Sequence, residues 1–151
     1  MIDFLILGIG NRMMTDDGIG IAVTEQLMQK DPFPGTRYAA GETDVDFCID
    51  ELINADKVII IDAAKFGEEP CSVSFFSLEE IMEQIPEVRS VHDIDLLQTM
   101  KRDSIKKNGL LIAVEVGNID SGIGLSPEIE EKFGDICEKV EKIINLFIKG
   151  E

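Results

Sequence analysis

The sequence predicts a three-layer α/β/α sandwich around a mostly parallel, roughly five-stranded twisted sheet, and three observations lead there. Short runs that are apolar on both faces recur along the chain, as expected of strands inside a parallel sheet covered by helices on each side. Segments with helical spacing of apolar residues alternate with them, the pattern of α/β architecture. The 151 residues are 44% hydrophobic, with no internal repeat, low-complexity tract or dividing linker, so a single domain over residues 1–151 is expected.

The elements follow in order. Phe4-Leu5-Ile6-Leu7 is a short apolar run ending at Gly8 and reads as a buried strand. From about Ile19 to Met28, the positions Ile19, Val23, Leu27 and Met28 recur at helical spacing. Thr36-Arg37-Tyr38-Ala39 alternates more and suits a sheet edge. A helix is expected from near Thr43 to Leu52. Lys57-Val58-Ile59-Ile60-Ile61-Asp62 is a second central strand, rich in β-branched residues. Ser72-Val73-Ser74-Phe75-Phe76 is the other edge candidate. A helix follows Asp93 with Ile94, Leu97 and Met100 on one face, and Leu110-Leu111-Ile112-Ala113-Val114 is the third central strand.

The last helix is the clearest. Ser126 caps it, Pro127 takes the first helical position, and Glu128, Glu130 and Glu131 complement the dipole. Its apolar stripe runs Ile129, Phe133, Ile136, Val140, Ile143, Phe147.

Thirty acidic against fourteen basic side chains give a formal charge of −16, which repels nucleic acid and anionic membrane surfaces. Cys48, Cys71 and Cys137 are widely spaced and form no Cys-x-x-Cys pair, which argues against a disulfide framework or a zinc ribbon. They read as structural thiols in a reducing cytoplasm. No apolar run approaches the ~20 residues that cross a bilayer, and no signal-type stretch opens the chain, so no membrane insertion and a cytoplasmic location are expected.

Ligands of open α/β sheets bind beyond the carboxyl ends of the strands. There the first strand is followed by GIGNRMMTDDGIG, residues 8–20, with Asp16 and Asp17. The Val58–Ile61 run is followed at once by Asp62, and the Leu110–Val114 run by Glu115, Gly117 and Asn118. The only histidine, His92, stands where a helix is about to start.

A dinucleotide fingerprint fits Gly8 and Gly10 but meets Met13 at the third glycine position. The loop also lacks a phosphate-binding lysine, and its two aspartates would repel a pyrophosphate. A receiver-type phosphoacceptor fails as well. Gly8 to Thr15 intervene before the acidic pair, and no lysine ends the Leu110 run. Taken singly, Asp16 and Asp62 are ordinary cap residues and His92 a structural histidine. Together, two carboxylates and an imidazole at one sheet edge make an open site for a divalent transition metal such as nickel, zinc or iron.

Gly8-Ile9-Gly10-Asn11 followed by Asp16-Asp17-Gly18-Ile19-Gly20 resembles the N-terminal signature of the hydrogenase maturation proteases. The resemblance continues in Val58–Ala63, in Ser90-Val91-His92-Asp93 and in Gly122-Ile123-Gly124-Leu125-Ser126-Pro127-Glu128, in the family's order. It implies an endopeptidase that removes the C-terminal extension of a nickel–iron hydrogenase large-subunit precursor after nickel insertion. The implied metal-contacting trio falls on Asp17, Asp62 and His92, with Asp16 as a cap or support. Nickel is then carried by the substrate and serves as a recognition handle.

Asp17 or Asp62 is expected to act as general base or to polarise water with the metal, and no serine or cysteine nucleophile is expected. The segment Ala40-Gly41-Glu42-Thr43-Asp44-Val45-Asp46 departs from the family by its acidity, as a partner contact or a favourable helix start. A non-catalytic nickel-checking binding protein, or a protease of similar fold with another target, are the alternative functions.

Overall fold

The computed structural model describes residues 3–84, 93–117 and 120–150. Among them, β1 (Phe4–Ile9), β2 (Arg37–Glu42), β3 (Lys57–Ala64), β4 (Val73–Ser77) and β5 (Asn108–Glu115) form one sheet in the order β2-β1-β3-β5-β4. All neighbouring pairs are parallel except β4 with β5. The two alternating runs are indeed the edges. β4 is antiparallel because residues 65–72, which lead into it, contain no helix, and a parallel return needs a crossover connection.

The helices are α1 (Ile19–Lys30), α2 (Val45–Ile53), α3 (Leu78–Glu83), α4 (Asp93–Arg102) and α5 (Pro127–Lys149). Strand side chains divide by parity. Ile6, Ile59, Ile61 and Ile112 pack with α1 and α5 on one face. Leu5, Leu7, Val58, Ile60 and Leu111 pack with α2, α3 and α4 on the other. This is the expected α/β/α arrangement. Each fully buried Leu or Ile contributes about 1.5–3 kcal/mol of transfer free energy, so the sheet is held from both sides.

Three details differ from the sequence pattern. α3 was not expected: its six residues are too short to show a helical period, though Ser77 caps it by accepting the Glu80 N–H at 3.0 Å. On α5, Cys137 and Ile144 join Ile129, Ile136 and Val140 in the core, while Phe133, Ile143 and Phe147 are only partly buried. The α2 helix begins at Val45, with the Asp44 carboxylate accepting the Phe47 N–H at 3.0 Å. Asp44 and Asp46 therefore serve the helix start. On α4, Leu97 and Met100 are buried as expected, and the Ile94 side chain lies outside the described residues.

All three cysteines are free thiols. Burial pushes the Cys48 thiol up to about 12 and the Cys137 thiol up to about 11, and it raises Cys71 as well. The thiolate is the nucleophilic form, so none of them is poised for attack at neutral pH. Among the described residues no helix is long and apolar enough to cross a membrane.

Candidate active site

From β1 the chain turns first to β2 on one side and later to β3 on the other. The carboxyl ends of β1 and β3 therefore border a topological switch point, the crevice where open α/β sheets take ligands. The loop between β1 and α1 folds back over this crevice. Gly10 makes the turn at φ +138°, and a Cβ there would lie 2.1 Å from the Asp17 carbonyl oxygen. No other residue fits that close approach. The Gly10 N–H donates to the Glu42 carbonyl at 3.0 Å, which fastens the loop to the end of β2.

Thr15–Gly18 then forms a single 3-10 turn in which Asp16 and Asp17 are each 1% exposed. Asp17 Oδ2 accepts the Asn11 N–H at 2.9 Å, so the loop aims the carboxylate through its own backbone. Asp62 is equally buried and lies inside β3, opposite Ala113 of β5 and ahead of the strand's end at Ala64. Its Oδ1 accepts the Ala63 N–H at 2.8 Å and lies 3.7 Å from where a Gly10 Cβ would be. The 3-10 turn also packs on β3. Asp17 and Asp62 thus share one crevice. His92 lies outside the described residues, and among the described residues no three His, Cys, Asp or Glu side chains are grouped to hold a metal.

Asp16 has a different role, the supporting one. Its Oδ1 accepts the Ser126 N–H at 2.6 Å and its Oδ2 accepts the Ser126 hydroxyl at 2.7 Å. Ser126 in turn caps α5, so a carboxylate sits at the positive end of a 23-residue helix. The brace is extended by a backbone clasp. The Thr15 N–H donates to the Gly122 carbonyl at 2.8 Å, and the Gly122 N–H to the Met13 carbonyl at 2.9 Å. The Thr15 hydroxyl donates to the Asp120 carbonyl. The motif Gly122–Glu128 is accordingly part of the site's frame. Asp16→Ala is expected to lower stability by about 1.5–3 kcal/mol, because it removes two hydrogen bonds to a charged acceptor. Urea unfolding checks this; an unchanged midpoint would remove Asp16 from the frame.

Two further residues shape the crevice. Glu115, 5% exposed, accepts the Phe66 N–H with both carboxylate oxygens at 3.0 and 3.1 Å, and its backbone pairs with Cys71 and Ser72. It fixes the 65–72 connection beside Asp62. Sequence reasoning passed over Arg12, whose guanidinium forks onto both Glu25 oxygens at 2.9 Å and reaches Glu42 at 3.2 Å. This contact raises the Arg12 pKa and holds Glu25 below the usual carboxylate range. The available signal was a lone basic residue inside an acidic motif. Gly20 rather than Gly18 permits close helix packing. A Gly20 Cβ would meet two strand carbonyls, whereas one on Gly18 would come no closer than 3.3 Å to the Asn11–Arg12 backbone.

The chain is similar to several known proteins. A family model described as "HycI: Hydrogenase maturation protease" matches residues 21–143, a stretch that starts just after the Asp16–Asp17 turn and includes positions 62 and 92. The chain is 30% identical over 136 residues to the hydrogenase expression/formation protein HoxM of Azotobacter vinelandii, covering 87% of this chain and 61% of HoxM. It is 26% identical over 142 residues to the hydrogenase 2 maturation protease of Escherichia coli strain K12, covering 90% and 87%.

Against HupM of Azotobacter chroococcum the aligned part is 38% of that relative, so the chain spans less than two thirds of each of these two Azotobacter proteins. Among solved structures, the [NiFe] hydrogenase maturation protease HybD from Thermococcus kodakarensis superposes with a TM-score of 0.73 at 28% identity, over 93% of this chain and 98% of that one. The Escherichia coli hydrogenase maturating endopeptidase HybD gives 0.78 at 24% identity, over 98% and 94%, and shares the fold. With a family model matched over most of its length, and with the expected fold, the chain belongs to the hydrogenase maturation protease family.

Proposed function

We propose that this protein is an endopeptidase that removes the C-terminal extension of a nickel–iron hydrogenase large-subunit precursor after nickel insertion. The observation that carries the reading is the pair of buried carboxylates, Asp17 and Asp62, at the β1/β3 switch point of a chain in this family. Asp17, Asp62 and His92 would take the nickel that the precursor brings, an oxygen/nitrogen set that leaves positions for the precursor's own ligands. One carboxylate then accepts a proton from the water that attacks the scissile peptide carbonyl, which makes the cleavage aspartic in type. Water is the nucleophile in this scheme, in keeping with thiols whose pKa values burial has raised. The proposed compartment is the cytoplasm, where free thiols persist.

The test is intact-mass measurement of purified precursor, nickel-loaded and nickel-free, after incubation with the protein. A shortened product from the loaded form alone is the expected result. Equal cutting of both forms removes nickel as the handle. Stable association without any change of mass makes the protein a non-catalytic nickel-checking partner.

A further inference from the structure

We infer that Met13 and Ile123 form the apolar centre of the surface on which the precursor polypeptide seats, and that the seated segment sets an apolar side chain among basic ones. The inference rests on the peptidase reading above and names how its substrate is held. Ile123 is 83% exposed and Met13 58% exposed, on the two loops that the clasp joins. The Gly122 N–H bonds to the Met13 carbonyl itself, and residues 14 and 122 make a parallel bridge, so the two side chains stand on one small ribbon.

That ribbon is continuous with the candidate site. Asp16 and Asp17 follow Met13 in the 3-10 turn, and Ser126 follows Ile123 on the other arm, bonded to Asp16. Among the described residues, the other exposed large apolar side chains sit on helices or on edge strand β4. Methionine adapts its shape to an incoming side chain, which suits a surface that grips a polypeptide.

Charge supplies the other half. Arg12 is the only basic residue in 10–18, and 120–126 has none. The Arg12 guanidinium is already engaged by Glu25 and Glu42. The exposed acid on the ribbon is Asp120, and the chain's net charge of −16 makes a field that attracts a cationic segment and repels an acidic one.

The test is steady-state cleavage of nickel-loaded precursor by the full chain, by a Met13→Gln/Ile123→Gln variant and by Ile123→Leu. The double variant is expected to raise KM about 10-fold with kcat within about twofold and an unchanged melting midpoint, since it removes only exposed contact area. Ile123→Leu keeps the wild-type KM. Wild-type KM rises as sodium chloride goes from about 50 to about 300 mM, because a rim-charge attraction is screened.

An unchanged KM in the double variant, with an active wild type, overturns the docking surface and leaves the peptidase reading standing. A flat salt response overturns the basic character of the segment. A wild-type dimer that the double substitution dissolves assigns the surface to a second copy and overturns the inference. A wild type that cuts nothing removes the peptidase reading and this inference together.

Discussion

Asp62→Asn is expected to leave the protein folded and to lower precursor cleavage at least about 100-fold, the lower end of what a positioned general acid or base contributes. Asparagine keeps the shape of the side chain and an oxygen for the Ala63 N–H that Asp62 Oδ1 now accepts at 2.8 Å. The substitution therefore removes the negative charge with little disturbance to β3. A carboxylate that is 1% exposed pays a desolvation penalty, so its neutral replacement holds or raises the unfolding midpoint. The two readouts then move apart, with activity lost and stability kept. Asp17→Asn should behave alike, since asparagine still accepts the Asn11 N–H. Rates come from product mass against time, and stability from urea unfolding. A fully active Asp62→Asn protein would remove Asp62 from the chemistry and sink the assignment of the site.

Gly20→Ala is expected to destabilise the protein by about 1–3 kcal/mol or more, although alanine is the better helix former by about 1 kcal/mol. The added Cβ would fall 2.2 Å from the Ile61 carbonyl oxygen and 2.7 Å from that of Ile9. Both obstacles are strand backbone, held in the sheet on either side, so neither yields as a flexible side chain would. Helix α1 has to lift away from β1 and β3, and it takes with it the 3-10 turn that carries Asp17. Stability and cleavage should fall together here, the opposite of the Asp62→Asn signature. A midpoint equal to or above wild type in urea unfolding would show that α1 has room for the added methyl and overturn the close packing of Gly20.

The sheet was legible in the sequence because its central strands are buried on both faces. Such strands read as unbroken Val/Ile/Leu runs, and β1, β3 and β5 came out in the expected places. The edges were legible from their alternation, and α5 from its cap and period. What escaped were features set by a few residues or by contacts between distant ones. The short α3 shows one apolar step, from Leu78 to Ile81, which no periodicity argument can use. The continuation of β3 past Asp62 to Ala64 depends on how far pairing with β5 goes, which is a property of both strands.

In the site, Asp16 and Asp17 are adjacent and alike as letters, and nothing in their order tells which one is bonded to a distant element. The partner that explains Asp16 is Ser126, 110 residues away. Arg12 was passed over because its importance lies in the two acids that it joins, which come from α1 and the end of β2. His92 carries the third position of the expected trio and lies outside the described residues.

The contact between Asp16 and Ser126 also bears on when the protein becomes competent during its synthesis. The turn that bears Asp17 leaves the ribosome 110 residues ahead of the group that braces it. At translation rates of about 5–20 residues per second, that delay is several seconds or more. Throughout it the β1 loop lacks both the clasp from Gly122 and the cap contact from Ser126. A partly made chain can pair its early strands, but it holds no finished crevice. The crevice is thus finished only once Ser126 has emerged, and the Asp17 turn stands without its brace until then.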